Sequence, residues 1–221
     1  MWTDRDHGKW LTPLRRLVPM IVTVAGLKGG TGKTTVAVSL AEAAAKRHGT
    51  ALLVDADPQG SAMTWAELAD EIGEPLLSAT VALPTRDLAR RLEAIGAGRY
   101  ALVVVDTPPG DARITASALA VADLVLIPAR PTAADMSRLW PTLEAVAAAG
   151  KAAAVVLSQV RVGTRGLAAA AQALATEQQH LAETVYPQRE AIAACFGRRP
   201  TGVLAEAGRD LLDEIEKASE R

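Results

Sequence analysis

Short apolar runs punctuate the chain at 20–26, 51–55, 101–106, 123–128 and 152–158, with weaker ones at 79–83 and 183–186. Continuous runs of this length fit strands buried on both faces, as in a parallel sheet. Helical segments alternate with them, at 33–47, 60–72, 85–96, 111–121, 132–149, 164–179 and 203–219. The first of these closes on Lys46-Arg47-His48-Gly49, a basic last turn that complements the helix dipole, followed by a glycine stop. Strand-helix alternation predicts an α/β fold: a mostly parallel twisted sheet with helices on both faces and ligands at the carboxyl ends of its strands.

A length of 221 residues suits one such domain. No repeat, low-complexity block or linker composition interrupts it after residue 20, so 20–221 reads as a single domain. Residues 1–19 show neither helical period nor strand pattern and read as a poorly ordered, dispensable extension. A short docking segment using Trp2, Trp10 and the Arg15-Arg16 pair is the other reading of that stretch. Cys195 is the single cysteine, no leader-like segment precedes the domain, and no apolar stretch approaches the ~18 residues needed to span a bilayer. The expected compartment is the cytoplasm. Net charge is −1, so attraction to a polyanion must come from a local patch.

Candidate chemistry is concentrated where the strands end. Lys28-Gly29-Gly30-Thr31-Gly32-Lys33-Thr34-Thr35 joins the first strand to the first helix. Glycines let a backbone approach phosphates closely and turn its N–H groups toward them, and the helix N-terminus adds positive potential. In such a loop Lys33 pairs with β/γ-phosphate oxygens, and the Thr34 hydroxyl completes a Mg2+ site. The general pattern G-x-x-x-x-G-K-[ST] fails at Leu27, where its first glycine belongs, and the failure comes with a second lysine, Lys28.

The loop resembles the deviant Walker A motif, K-G-G-x-G-K-T-T, of the ParA/MinD family of ATPases. Two further segments carry the resemblance in the same order: Leu52 to Ser61, an apolar strand entering Asp55-Ala56-Asp57-Pro58-Gln59, and Leu102 to Gly110, an apolar strand entering Asp106-Thr107-Pro108-Pro109-Gly110. The similarity runs through Asp123 to Pro128 and Gln188-Arg189 to Val203, and short-chain plasmid-partition ParA proteins are the best match within it. It implies a P-loop NTPase that hydrolyses ATP with Mg2+, slowly unless a partner stimulates it. It also implies roles for particular residues. Asp106 resembles the Walker B aspartate that holds a metal-bound water, the alternative being a strand-end aspartate that caps a turn. Asp57 would position the attacking water, and Asp55 would support the metal shell. Lys28 would reach across a two-fold axis to the phosphates in a facing subunit, giving an ATP-bridged homodimer. Ser158-Gln159 and Tyr186-Pro187-Gln188 match loops that contact the base, which makes Gln159 and Pro187 candidates.

Arginines 161, 165, 189, 198 and 199 gather in the last third. By the resemblance, Arg189, Arg198 and Arg199 would contact phosphates of nonspecific DNA in the ATP-bound dimer, placing the protein on the nucleoid. The implied partner is a centromere-binding or other cargo adaptor, and the implied task is partition of a plasmid or chromosome. The alternatives are positioning of a protein cargo such as carboxysomes, or membrane-associated regulation of division as in MinD. Against the membrane stands the last helix: its apolar stripe is flanked by Glu206, Asp210, Asp213, Glu214, Glu216 and Glu220, the wrong charge for an anionic leaflet. It reads instead as a packed terminal helix.

Overall fold

The computed structural model describes residues 20–161 and 163–220. The proposed extension 1–19 lies outside them. Seven strands form one sheet among these residues: β1 (Met20–Val24), β2 (Ala51–Asp55), β3 (Ala79–Ala82), β4 (Leu102–Asp106), β5 (Leu124–Ala129), β6 (Ala152–Val160) and β7 (Tyr186–Pro187). Their spatial order is β3-β2-β4-β1-β5-β6-β7, and each adjacent pair is parallel. Helices α1 (Lys33–His48), α2 (Ser61–Glu71), α3 (Leu88–Ala94), α4 (Ala112–Val121), α5 (Ala133–Ala148), α6 (Arg165–Thr176), α7 (Glu190–Ala193) and α8 (Gly202–Ser219) connect and follow them. The expected α/β architecture is the one observed.

Side chains alternate between the faces of each strand, and in β2, β4 and β5 every residue is buried. Leu53, Val104 and Leu126 point to the layer of α1, α2 and α8. Val125 and Ile127 pack under α5 and α6, and Leu52, Val54, Val103 and Val105 under α3 and α4. A strand that must be apolar on both faces shows no polar alternation, which is why the runs in the sequence were continuous.

Helix α8 lies against α1, with Leu204, Ala207, Leu211, Leu212 and Ile215 buried. Gly208 makes this approach possible, because a Cβ there would stand 2.3 Å from the Ser39 carbonyl oxygen. Its apolar stripe is thus consumed by the core, as the charge pattern required. The weak run at 183–186 yields only the two-residue β7. Glu214 of α8 accepts from the N–H groups of Glu183 and Thr184.

Candidate functional site

Register brings the three motifs together. Across the sheet Val24 pairs with Asp106 and Asp106 pairs with Asp55, so the exits of β1, β4 and β2 lie side by side. The phosphate loop leaves the first of these strands. Gly30 (φ 72°) and Gly32 (φ 87°) occupy the left-handed region that side chains disfavour, and Gly32 caps α1. From below, Ser158 donates to the Thr31 carbonyl at 2.6 Å, and the Gln159 amide donates to the Gly30 carbonyl at 2.7 Å. Gln159, a candidate for the base, thus also braces the loop. Gly29 lies beside Pro109 of the segment after β4.

Lys33 is buried, and its ammonium donates to the Lys28 carbonyl at 3.0 Å. Burial lowers its pKa, and the negative charges of Asp106 and Asp57 oppose that shift. Thr34 Oγ1 donates to Asp106 Oδ2 at 2.6 Å. Asp106 is 1% exposed, and its other oxygen, Oδ1, has no hydrogen-bond partner. Burial raises its pKa to about 7, against the lowering effect of the Thr34 hydroxyl and with a further push from Asp55. An orphaned carboxylate oxygen beside a threonine hydroxyl at the mouth of an N–H-lined loop fits a hydrated Mg2+ between protein and phosphates. No group of three or more His, Cys, Asp or Glu converges among the described residues. Such an ion would therefore rely on Thr34, on phosphate oxygens and on waters, as Mg2+ commonly does.

Asp55 is spent more locally. Its Oδ1 accepts from the N–H of Asp57 at 3.0 Å and its Oδ2 from the N–H of Met63 at 2.9 Å, so it shapes the turn and ties it to α2. Burial nonetheless raises its pKa. Asp57 is half-buried and accepts from the Gln59 N–H at 2.9 Å through Oδ1 alone. Pro58 follows it, and the negative charge of Asp57 acts against the lowering of the Lys33 pKa.

Lys28 makes an ion pair within its own chain, 2.6 Å from Asp135 Oδ1 on α5. Arg130 shares that carboxylate at 3.1 Å. Sequence reasoning missed Asp135, because it lies more than a hundred residues from the loop and belongs to no motif.

Beside the loop opens a cleft of about 470 Å3, reached by Thr35, Gln159, Pro187 and Arg189 and walled by Trp65 and Phe196. Pro187, the other candidate for the base, is among its lining residues. Trp65 and Phe196 lie 5.2 Å apart, centroid to centroid, at 56°. The indole N–H of Trp65 donates to the Arg198 carbonyl at 2.7 Å, which fixes the ring. Neither aromatic was foreseen. Arg189 lines this cleft, Arg198 pairs with Glu74 at 3.4 Å, and Arg199 donates to the Pro75 carbonyl.

A loop built to hold phosphates, with a lysine, a threonine and two aspartates converging on it, is matched by the known protein family described as the CobQ/CobB/MinD/ParA nucleotide binding domain, over residues 22–200. The chain belongs to that family. Among relatives of this MinD/ParA-type chain, the maintenance of carboxysome distribution protein A of Gloeobacter kilaueensis is 40% identical over 181 residues, covering 80% of this chain and 78% of that protein. The chromosome-partitioning ATPase Soj of Thermus thermophilus is 32% identical over 235 residues, covering 88% and 94%. The same fold is seen in the Pyrococcus furiosus cell division ATPase MinD (TM-score 0.73, 20% identity, 90% of this chain and 99% of that one). It is seen again in a plasmid partition protein of Borrelia burgdorferi bound to AMPPNP (TM-score 0.75, 18% identity, with the same coverage). The family assignment makes this a nucleotide-binding protein of the ATPase type. No helix among the described residues is long and apolar enough to cross a membrane.

Proposed function

We propose that this chain is a slow, partner-stimulated Mg2+-dependent ATPase that dimerises around ATP, binds DNA without sequence preference and positions a cargo through an adaptor protein. The observation that carries the reading is the pair of lysines in one loop. Lys33 points inward over the phosphate cradle, whereas Lys28 lies partly exposed at its rim, with 29% of its side chain accessible. An inward lysine suffices for binding nucleotide. A second one at the rim adds a cation for phosphates carried by a facing copy.

In this reading Lys33 and the loop N–H groups hold the phosphates, Thr34 and Asp106 orient the metal with its waters, and Asp57 orients the attacking water. A metal held through Thr34 and Asp106 would supply charge neutralisation to the phosphates. Turnover then depends on positioning more than on a strong base.

The cargo we favour is a protein assembly, because the carboxysome-distribution relative is 40% identical and matches four-fifths of this chain. Partition of a plasmid or chromosome is the second reading, supported by the long match to Soj. Either task places the protein in the cytoplasm on the nucleoid. Light scattering with ATP, ADP and no nucleotide, beside phosphate release, tests the cycle: ATP alone should give the dimer, and a chain that stays monomeric with ATP rejects it. Deleting the gene for this chain in the cell, and following plasmid loss against scattering of the protein assembly, separates the two cargoes.

A further inference from the structure

Backbone geometry near the end of β6 departs from that of a strand. Gln159 has φ 50°, in the left-handed region that a residue with a Cβ disfavours. Among the described non-glycine residues only Gln178, in the turn after α6, shares this sign of φ. The register slips at the same place: Ser158 pairs with Tyr186 and Val160 with Pro187, so two steps of β6 face one step of β7, as in a bulge.

The side chains show what the bulge achieves. Neighbouring residues of a regular strand point to opposite faces, yet Ser158 and Gln159 both turn to the phosphate loop, one on the Thr31 carbonyl and the other on the Gly30 carbonyl. Ser158 is buried, and a Cβ on Gly32 would stand 3.6 Å from the Ser158 Cβ, so the loop lies directly on it. A strained residue persists only where its surroundings over-determine it, and such residues cluster at binding sites.

The two carbonyls are consecutive, and this fixes the other side of the loop. A trans peptide unit is planar, so its C=O and N–H point in opposite directions, and no cis bond occurs among the described residues. With the carbonyls of Gly30 and Thr31 drawn to β6, the N–H groups of Thr31 and Gly32 point away from it. Neither N–H meets a backbone carbonyl among the described residues. Both lie just before the first turn of α1, where a helix N-terminus favours an anion.

We infer that Ser158 and Gln159 are positioning residues for the triphosphate: by holding two successive carbonyls, they set the N–H groups of Thr31 and Gly32 to receive phosphate oxygens before a ligand arrives. Donors fixed in advance need no reorganisation on binding. The inference rests on the nucleotide-binding assignment, and it gives Gln159 a part in holding phosphate, through the loop, where the sequence made it a candidate for the base.

Calorimetry of the full chain with ATP and with inorganic tripolyphosphate, for wild type, Ser158→Ala and Gln159→Met, tests it. Met keeps the length of the side chain and removes the amide. Loss of one hydrogen bond corresponds to roughly 2- to 12-fold in affinity, and each variant should lose that factor equally for the two ligands, because both present a triphosphate. In steady-state hydrolysis the KM for ATP should rise by the same factor and kcat should change less, since donors set in advance favour the bound substrate and the transition state alike. Ser158 is buried, so Gln159→Met, at a partly exposed position, is the deciding variant. Wild-type binding of tripolyphosphate by Gln159→Met overturns the inference, and if ATP alone weakens, Gln159 contacts the base instead. A fall in kcat as large as the rise in KM also overturns it, because it marks a site that has come apart. Binding of neither ligand by the wild type overturns the nucleotide-binding assignment beneath it.

Discussion

The Lys28 ammonium and the Asp135 carboxylate form an ion pair 2.6 Å long within a single chain. Burial pushes the Asp135 carboxyl up, but hydrogen bonds from Lys28 and Thr132 and the charge of Arg130 outweigh it and hold the group below the ordinary carboxylate range. A lysine so engaged must leave Asp135 before it can meet a partner's phosphates. Arg130 remains at 3.1 Å when it does, so the carboxylate is not left unpaired, and loss of a buried partner is where such exchanges usually become expensive.

This exchange predicts opposite effects for two substitutions. Lys28→Ala should keep nucleotide binding and weaken ATP-dependent dimerisation. Asp135→Asn removes the competing anion while keeping the shape of the α5 cap, and should lower the ATP concentration at which dimers form. Light scattering across an ATP titration measures both. Unchanged dimerisation by Lys28→Ala would remove the cross-subunit role.

Lys33 and Asp57 should separate binding from turnover. Lys33 is the buried cation of the loop, and charged hydrogen bonds contribute about 1.5–3 kcal/mol, so Lys33→Ala should weaken ATP binding roughly 10- to 150-fold. Asp57 engages only the Gln59 N–H, so Asp57→Ala should retain ATP and lose roughly 100-fold or more in hydrolysis. Nucleotide titration and phosphate release on both variants check this. Full turnover in Asp57→Ala would strip it of its role.

Asp106 makes the nucleotide-free, metal-free protein sensitive to pH. Its pKa of about 7 lies above the ordinary aspartate value of 3.8, so the native state holds a proton that the unfolded chain has already lost. Stability from this group is complete below about pH 4 and is lost as pH rises toward 7. Asp106→Asn should therefore abolish ATP hydrolysis yet raise the melting temperature of the free protein at pH 8, with little gain at pH 4. Thermal melts at the two pH values decide. A lower melting temperature at pH 8 would mean that the ionised carboxylate is well accommodated after all.

The legibility of this molecule in its sequence follows from distance along the chain. Strands buried on both faces must be continuously apolar, so β1, β2, β4, β5 and β6 were visible, and the phosphate loop is contiguous. Parallel register then obliges Asp55 and Asp106 to meet. What stayed hidden was joined only by tertiary contact: Asp135 under Lys28, the Gln159 amide under Gly30, and Phe196 against Trp65. The engagement of Arg198 with Glu74 and of Arg199 with the Pro75 carbonyl was hidden for the same reason.

The aromatic wall of that cleft yields the last prediction. Phe196 is the only phenylalanine in the chain, and it stands 49% exposed at the mouth of the cleft beside the phosphate loop. An exposed aromatic ring braced by a fixed indole is suited to receive a flat base. Base-aromatic stacking is worth about 1–3 kcal/mol by alanine substitution, which is roughly 5- to 150-fold in affinity. Phe196→Ala should thus weaken ATP by about that factor while leaving inorganic tripolyphosphate binding unchanged, since the latter carries no base. Because stacking tolerates any base, GTP should lose as much as ATP. Competition calorimetry with the three ligands separates stacking from a general loosening of the site. Equal losses for ATP and tripolyphosphate would show that Phe196 supports the phosphate loop instead of the base.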